Sequence, residues 1–218
     1  MKKIVIGDSH SQLFSNDPKF KRGMWSDGSL ENEFDVRWMG PVTYWRLCRD
    51  QREFIDFTKD LRYDPFPGME ISTFAKSESE ILITLGEIDI RSNIMNHNSG
   101  DYIKTIDMMS NRIHDYISSY KGGFKINICS IPPPIKELDC NSVNTEFPFV
   151  GTDEQRKNAT IYFNNHLKKI CDSTNSRYFD IYSIYEKNGM LDPKKSDGIV
   201  HCIKTLELEN KIKNHFGI

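Results

Sequence analysis

Lys3-Ile4-Val5-Ile6-Gly7-Asp8-Ser9-His10 is the stretch that decides the fold, because a short apolar run leads here directly into a polar turn. A buried strand of a parallel sheet is typically a short run rich in Ile and Val that stops at a turn-forming residue. Two further segments follow the same pattern, residues 80–85 before Gly86 and residues 124–129 before Ser130. The pattern therefore predicts three parallel strands whose carboxyl ends carry small or polar residues.

Two less apolar segments, residues 34–39 and 177–181, extend the predicted sheet to about five strands. Between the strands, apolar residues recur at every third or fourth position, which is typical of amphipathic helices. These positions lie in residues 103–120, 159–170 and 208–216. The alternation of strands and helices predicts one α/β domain over residues 1–218, a three-layer α/β/α sandwich around a parallel sheet.

Composition excludes several functional classes. The 218 residues include 29 Lys and Arg against 31 Asp and Glu, a net charge of -2, so we expect no nucleic-acid partner. No apolar run approaches the roughly 20 residues of a membrane span, so we expect no membrane association. The five cysteines are scattered without a C-x-x-C pair, which indicates reduced thiols and a cytoplasmic location. No Cys or His pair has zinc-ligand spacing, so we expect neither a metal nor a cofactor.

Two stretches lack periodicity, residues 15–33 and residues 131–151. Loops of this length in a compact domain are often lids or binding loops, and the alternative is plain surface. Trp25, Trp38 and Trp45 leave a similar choice between a sugar-binding cleft and the core. The sequence leaves both choices open.

The residues that follow the strands are candidates for chemistry, because ligands of open α/β sheets bind beyond the carboxyl ends of the strands. Ser9 follows the first strand at a sharp turn, which is typical of a nucleophile, although a helix-capping serine fits the position too. Near the other end of the chain, Asp197 precedes His201 by four residues. A serine nucleophile needs a base for its proton and a carboxylate to orient that base. Ser9, His201 and Asp197 are therefore the candidate catalytic residues, and His10 is a second histidine beside the serine.

In order and placement, these blocks resemble those of the SGNH (GDSL) hydrolase family. That family has a Ser in a G-D-S block, a Gly after the second strand, a G-x-N-D block after the third and a D-x-x-H block near the C-terminus. This chain has Gly7-Asp8-Ser9, Gly40, Gly86-Glu87-Ile88-Asp89 and the pair Asp197 and His201. The resemblance spans almost the whole chain and implies a flavodoxin-like fold.

The resemblance also implies roles for individual residues. Ser9 would be the nucleophile, His201 the general base and Asp197 the carboxylate that orients the base. The backbone N–H groups of Ser9 and Gly40 would form part of an oxyanion hole, the set of donors that stabilises the charge developing on the substrate oxygen.

Two positions depart from the family pattern. The Asn of the third block, a side-chain oxyanion donor in the family, is Ile88 here. Arg91 is the candidate substitute, because a guanidinium can reach a developing negative charge. The alternative is that Arg91 forms an ion pair with Glu87 or Asp89, and these two carboxylates are also candidates for supporting the site. The second departure is the spacing between Asp197 and His201, which is four residues here and three in the family. A one-residue bulge in the loop absorbs the difference.

The expected function is therefore that of an esterase or O-acetyltransferase acting on a small or sugar-borne acyl ester. The polar loops favour a small substrate over a lipid, and the G-E-I-D block resembles relatives associated with cell-surface polysaccharides. The alternative is a catalytically silent domain of this fold that binds a glycan or a protein partner. Ile88 supports that alternative, and the retained Ser, His and Asp oppose it.

Overall fold

The computed structural model describes residues 3–15, 25–27, 34–45, 80–119, 125–142 and 145–218. Some sequence predictions lie outside the described residues. They concern most of the irregular stretch 15–33, Cys48 and the ends of two predicted elements at Tyr120 and Phe124.

The sheet has six strands within the described ranges. In chain order they are β1 (Lys3–Gly7), β2 (Trp25–Asp27), β3 (Phe34–Trp38), β4 (Glu80–Thr84), β5 (Lys125–Cys129) and β6 (Arg177–Phe179). Across the sheet the order is β2-β3-β1-β4-β5-β6. The five strands β3, β1, β4, β5 and β6 are parallel, and the edge strand β2 is antiparallel to β3. The predicted five-stranded parallel sheet is confirmed. The edge strand β2 is an addition, because three residues inside an irregular stretch show no periodicity.

Helices connect these strands. The α-helices within the described ranges are α1 (Tyr102–Ser119), α2 (Asp153–Ser173), α3 (Tyr182–Tyr185) and α4 (Leu206–Phe216). A small antiparallel pair, β7 (Glu186–Lys187) and β8 (Met190–Leu191), follows α3. Short 3-10 turns lie at Ser9–Phe14, Ile94–Asn96, Asn98–Gly100, Glu137–Asp139 and Pro193–Lys195, and a π-helical turn lies at Asp89–Asn93. No helix in the described part of the chain combines the length and the apolarity that crossing a bilayer requires.

The two faces of the sheet carry two separate cores, because successive side chains of a strand point to opposite sides. Ile4 and Ile6 of β1 pack in one core with the apolar stripes of α1 and α2. Val5, between them, packs in the other core with Phe14 and with α4. The sheet is thus covered on both faces, and the predicted three-layer α/β/α arrangement is confirmed.

The carboxyl ends of the central strands β1 and β4 approach each other closely at Gly7. A Cβ atom built on Gly7 would lie 1.9 Å from the carbonyl oxygen of Thr84 and 2.0 Å from its Oγ1. The backbone N–H of Asp8 donates to that same carbonyl at 3.0 Å, and the N–H of Met39 donates to the carbonyl of Gly7 at 2.8 Å. These contacts hold the ends of three strands level, so the residues that follow them share one edge of the sheet.

Asp89 ties the segment after β3 to the segment after β4. Its carboxyl group is fully buried and accepts the backbone N–H of Tyr44 at 2.7 Å and that of Trp45 at 3.0 Å. Burial raises the pKa of Asp89 to about 7, although the two N–H donors favour the charged form. This carboxyl group therefore positions the chain that follows Gly40.

We expect Gly7→Ala to lower the free energy of unfolding by about 3 kcal/mol or more, because the new methyl group meets a backbone carbonyl that no rotamer change can move. Urea denaturation measures the effect. The control is Gly217→Ala, since a Cβ there meets nothing within 4 Å and the cost is the left-handed backbone alone, about 1–2 kcal/mol. Equal losses in the two variants would contradict the close approach.

We also expect Asp89 to make stability depend on pH. Its pKa is 3.8 in a free carboxyl group and about 7 in the folded chain, so the folded state binds more protons between these values. The stability this provides is complete below about pH 4 and is lost as pH rises through 7, by up to about 4 kcal/mol. Urea denaturation at pH 4 to 8 should show a steeper fall in wild type than in Asp89→Asn. Parallel curves would contradict the assignment.

Candidate active site

A cavity of about 250 Å³ lies at the carboxyl edge of the sheet. Its lining comes from the segments after β1, β3, β4 and β5 and from the loop before α4. The lining residues are Ser9, Trp38, Gly40, Pro41, Ile88, Arg91, Ser142, Glu146, Phe147, Phe149, Ile199, Val200 and His201. The cavity is therefore where an open α/β sheet binds its ligands.

Of the residues predicted from the sequence, Ser9, His201, Gly40 and Arg91 line this cavity. Ser9 and His201 are separated by 191 intervening residues and meet here because the loop before α4 returns to the end of β1. Asp197, Glu87, Asp89 and His10 are not among the lining residues. Each of these four lies behind the cavity wall or beside a residue that forms it.

The loop from Asp197 to His201 orients the imidazole. Asp197 Oδ2 lies 2.8 Å from His201 Nδ1, and Asp197 Oδ1 accepts the backbone N–H of Ile199 at 2.8 Å and that of His201 at 3.2 Å. The N–H of Asp197 donates back to the carbonyl of His201 at 3.0 Å. The four-residue step is thus a closed turn that brings carboxylate and imidazole together.

Asp197 is an anion at neutral pH. Partial burial alone would raise its pKa, but hydrogen bonds from the His201 ring and from the backbone N–H groups of Ile199 and His201 hold the pKa below its ordinary value. Each of the two side chains is about one-third exposed. The contact with Asp197 occupies Nδ1 of His201 and leaves Nε2 as the nitrogen for exchange with a ligand.

Ser9 begins the short turn that follows β1 and is half-buried. Asp8, rather than Ser9, caps that turn, since Asp8 Oδ1 accepts the backbone N–H of His10 at 2.9 Å. The structure therefore gives the capping role to the neighbouring residue and leaves the Ser9 hydroxyl to the cavity. No hydrogen bond joins the Ser9 hydroxyl to His201 in the described chain, and such bonds often tighten only once substrate is bound.

Two backbone donors lie beside the serine. Gly40 has a φ of 87°, a left-handed conformation that glycine adopts without strain. Among the described residues, the backbone N–H groups of Gly40 and Ser9 donate to no other backbone group. The cavity wall therefore contains two N–H groups that a ligand oxygen can use.

Arg91 forms a buried ion pair with Glu87. Its Nε donates to Glu87 Oε1 at 2.6 Å and its Nη2 to Oε2 at 3.0 Å, while Nη1 donates to the carbonyl oxygen of Phe147. The two roles left open by the sequence thus overlap, because the guanidinium lines the cavity and is also held by Glu87. Asp89 is not its partner, since that carboxyl group faces the chain after Gly40.

The segment 145–151 is fastened over this ion pair. Ser92 Oγ donates to the carbonyl of Pro148 at 2.7 Å, and the N–H of Val150 donates to the carbonyl of Arg91 at 2.8 Å. The ring of Phe149 lies against two guanidinium groups. The centroid of the ring is 4.8 Å from Cζ of Arg156 and 5.9 Å from Cζ of Arg91. The irregular stretch 131–151 therefore forms part of the cavity wall.

His10 requires a correction. As the second histidine beside the serine it is a candidate for the site, but the residue is only 3% exposed and its side chain turns inward towards Asp8, away from the cavity. Glu87 and Asp89, the two candidates for supporting the site, do not contact the cavity themselves. Glu87 is buried against Arg91, and Asp89 is fully buried against the backbone of Tyr44.

The structure places two of the three tryptophans, and the side chain of Trp25 lies outside the described residues. Trp38 lines the cavity, whereas Trp45 stacks on the ring of His97 at 3.5 Å between centroids and packs on the core. Sequence reasoning did not single out Phe147, Phe149, Ile199 or Val200. The only signal for the last two was their apolar character between Asp197 and His201.

No protein-family model and no curated protein sequence matches this chain. Solved structures do. A GDSL-like lipase from Bacteroides thetaiotaomicron is 14% identical over 99% of this chain and 85% of its own, with a TM-score of 0.57. A catalytic mutant of an acetylxylan esterase from Geobacillus stearothermophilus is 14% identical. The match covers 100% of this chain and 94% of the esterase chain, with a TM-score of 0.53.

A third structure, assigned as an acylhydrolase from Bacteroides fragilis, is 17% identical over 99% of this chain and 84% of its own, with a TM-score of 0.58. The matches cover 84% to 94% of each of these three neighbours at an identity of 14% to 17%, which supports the fold alone. The chain described here has the fold of the SGNH (GDSL) hydrolases.

Proposed function

We propose that this protein is a serine-dependent ester hydrolase or acyl transferase that acts on a small or sugar-borne acyl ester. One observation carries the proposal: Ser9 and His201 line the same cavity, and Asp197 holds His201 Nδ1 at 2.8 Å. Nucleophile, base and orienting carboxylate are the three parts that covalent acyl transfer needs.

The reaction follows from these positions. His201 Nε2 takes the proton of the Ser9 hydroxyl as the Ser9 oxygen attacks the ester carbonyl. The tetrahedral intermediate then collapses to an acyl-enzyme, and His201 returns the proton to the leaving alcohol. Water or a second hydroxyl, activated in turn by His201, releases the acyl group. Asp197 stays ionised throughout and stabilises the imidazolium that forms in each step.

The oxyanion is stabilised by backbone donors in this proposal. The N–H groups of Ser9 and Gly40 supply two hydrogen bonds, and each such donor is worth about 3–4 kcal/mol in the transition state. Ile88 offers no third donor. Arg91 adds a positive charge to the cavity wall, but its Nε and Nη2 are engaged by Glu87 and its Nη1 by the carbonyl of Phe147.

The cavity favours a small substrate. Its volume of about 250 Å³ is below the roughly 300–1,000 Å³ of sites for drug-sized ligands. A short acyl group fits beside Ile88 and Trp38, and the polar side chains of Ser142 and Glu146 suit the hydroxyl groups of a sugar. The acetylxylan esterase among the structural neighbours acts on a sugar-borne acetyl ester, which supports the same substrate class.

The free thiols of Cys129, Cys140, Cys171 and Cys202 agree with a cytoplasmic location.

The second candidate function is a silent domain that binds a glycan or a protein partner through the same cavity. Ile88 favours it, because an apolar side chain replaces the side-chain donor of the family pattern. Acyl-enzyme formation separates the two functions, since a binding domain has no use for a reactive serine.

We expect wild-type protein to cleave a short-chain acetyl ester at a rate that rises with pH, because only a neutral imidazole can act as the base. Ser9→Ala and His201→Ala should each lower kcat at least about a thousandfold, and the double variant should be little slower than either. Ester hydrolysis followed by release of the chromogenic alcohol measures these rates.

Covalent labelling of Ser9 by a fluorophosphonate is a second test, which reports the reactivity of the serine without relying on the choice of ester substrate. His114→Ala is the control, since His114 lies on α1 away from the cavity and its loss should leave labelling unchanged. Labelling or hydrolysis that is equal in wild type and Ser9→Ala would rule out the enzyme and leave the binding domain.

We expect Arg91→Met to act mainly on stability. The change removes the partner of a buried carboxylate and releases the carbonyl of Phe147, which costs about 3–5 kcal/mol in comparable buried pairs. The double variant Glu87→Gln with Arg91→Met should recover part of that loss, because it leaves no buried charge unpaired. Thermal denaturation and kcat are measured together. A large fall in kcat without a fall in melting temperature would instead assign Arg91 to the oxyanion.

A further inference from the structure

A second histidine lies directly behind the proposed base. The ring centroid of His10 is 5.7 Å from that of His201, with the two ring planes inclined at 60°. His10 is 3% exposed and does not line the cavity, so it cannot contact substrate. The reaction proposed above gives this buried imidazole no part.

Asp8 supplies the charge that His10 faces. Asp8 Oδ1 lies 3.4 Å from His10 Nδ1, and the Asp8 side chain is 1% exposed. Asp8 Oδ2 and both ring nitrogens of His10 lack a hydrogen-bond partner in the described chain. A buried carboxylate with an unpartnered oxygen is costly unless a cation stands beside it. A protonated His10 is that cation, whereas a neutral His10 leaves the charge of Asp8 uncompensated.

Other charged and titratable groups of the described residues lie around the pair. Cys202 lies beside His10, where burial raises the pKa of its thiol and the neighbouring His10 ring acts to lower it. Glu87 is neutralised by Arg91 within hydrogen-bond distance. On the His201 side, Asp197 is the ionised neighbour, and the charged residues of the cavity lining are Arg91 and Glu146.

Electrostatics around His10 agree with the geometry. Burial alone would lower the pKa of His10, but the adjacent Asp8 carboxylate and the Cys202 sulfur outweigh it and raise the pKa well above the ordinary value. The imidazole of His10 is thus charged at pH values at which an ordinary histidine is neutral.

We propose that His10 is a buried, protonated positioning residue whose ring supports His201 and whose charge, held in place by Asp8, favours the neutral base form of His201. The proposal rests on the proposed function, since it assigns His10 a part in the proton transfer from Ser9. Asp197 and His10 then act on His201 in opposite directions. The carboxylate stabilises the imidazolium after proton transfer, and the buried cation keeps the imidazole free to accept a proton.

The charge of His10 is measured directly by NMR on protein labelled with 15N-histidine. The signals of His10 are those missing from the spectrum of His10→Gln. We expect both ring nitrogens of His10 to remain protonated at pH values at which an ordinary histidine is neutral, and Asp8→Asn to move this deprotonation to lower pH. Asn retains the cap on the His10 N–H, so Asp8→Asn also serves if His10→Gln does not fold.

The effect on the base is measured as the pH dependence of fluorophosphonate labelling at Ser9. Removing a positive charge about 6 Å away, partly offset by Asp8, should move the midpoint in His10→Gln to higher pH by about half a unit or more. His215→Gln is the matched control, since His215 is a partly buried histidine on α4 that contacts Asn127 and lies outside the cavity lining. Its midpoint should equal that of wild type.

The outcomes separate this inference from the proposed function. Absence of labelling in wild type at every pH overturns the proposed function, and with it the part of His10 in catalysis. Labelling in wild type together with a neutral His10 ring overturns the inference alone. An unmoved midpoint in His10→Gln does the same, whereas a charged ring with a shifted midpoint supports it.

Discussion

The close backbone approach between Gly7 and Thr84 is the constraint on which the rest of the structure depends. Parallel strands of a sheet normally leave room for side chains at their ends, but here the space is filled by the Thr84 carbonyl and hydroxyl. Only glycine fits, and the N–H of Asp8 can therefore bond to Thr84 at 3.0 Å. This contact brings Ser9 and the Gly86 turn to the same level, which is the precondition for a shared cavity.

Two pairs, each of one carboxylate and one nitrogen base, lie at the cavity in different surroundings. Asp197 and His201 are each about one-third exposed, so water and a ligand can reach the pair. Arg91 and Glu87 are buried and joined by two hydrogen bonds, and the guanidinium also donates to the carbonyl oxygen of Phe147. A buried pair with this many contacts suits a fixed wall, whereas the partly exposed pair has the access to water that the proposed proton transfer needs.

Prediction from the sequence was most successful where a local pattern has one physical cause. Apolar runs that end in turn residues marked the parallel strands, and apolar residues at helical spacing marked α1, α2 and α4. The strand-end rule then placed Ser9 and Gly40 at the edge where the cavity lies. The edge strand β2 escaped prediction, because three residues pairing at an edge need no apolar pattern of their own.

The sequence by itself determined the layers of the fold, the strand ends and the short-range pair of Asp197 and His201, because each depends on residues a few positions apart. Only the tertiary structure decided which way the side chains after those strands turn. His10 follows Ser9 directly, yet one faces the cavity and the other is buried against Asp8. Arg91 had two possible partners, and the choice of Glu87 followed from Asp89 being occupied by the backbone of Tyr44. Such choices depend on contacts between segments far apart in the chain, which no local pattern records.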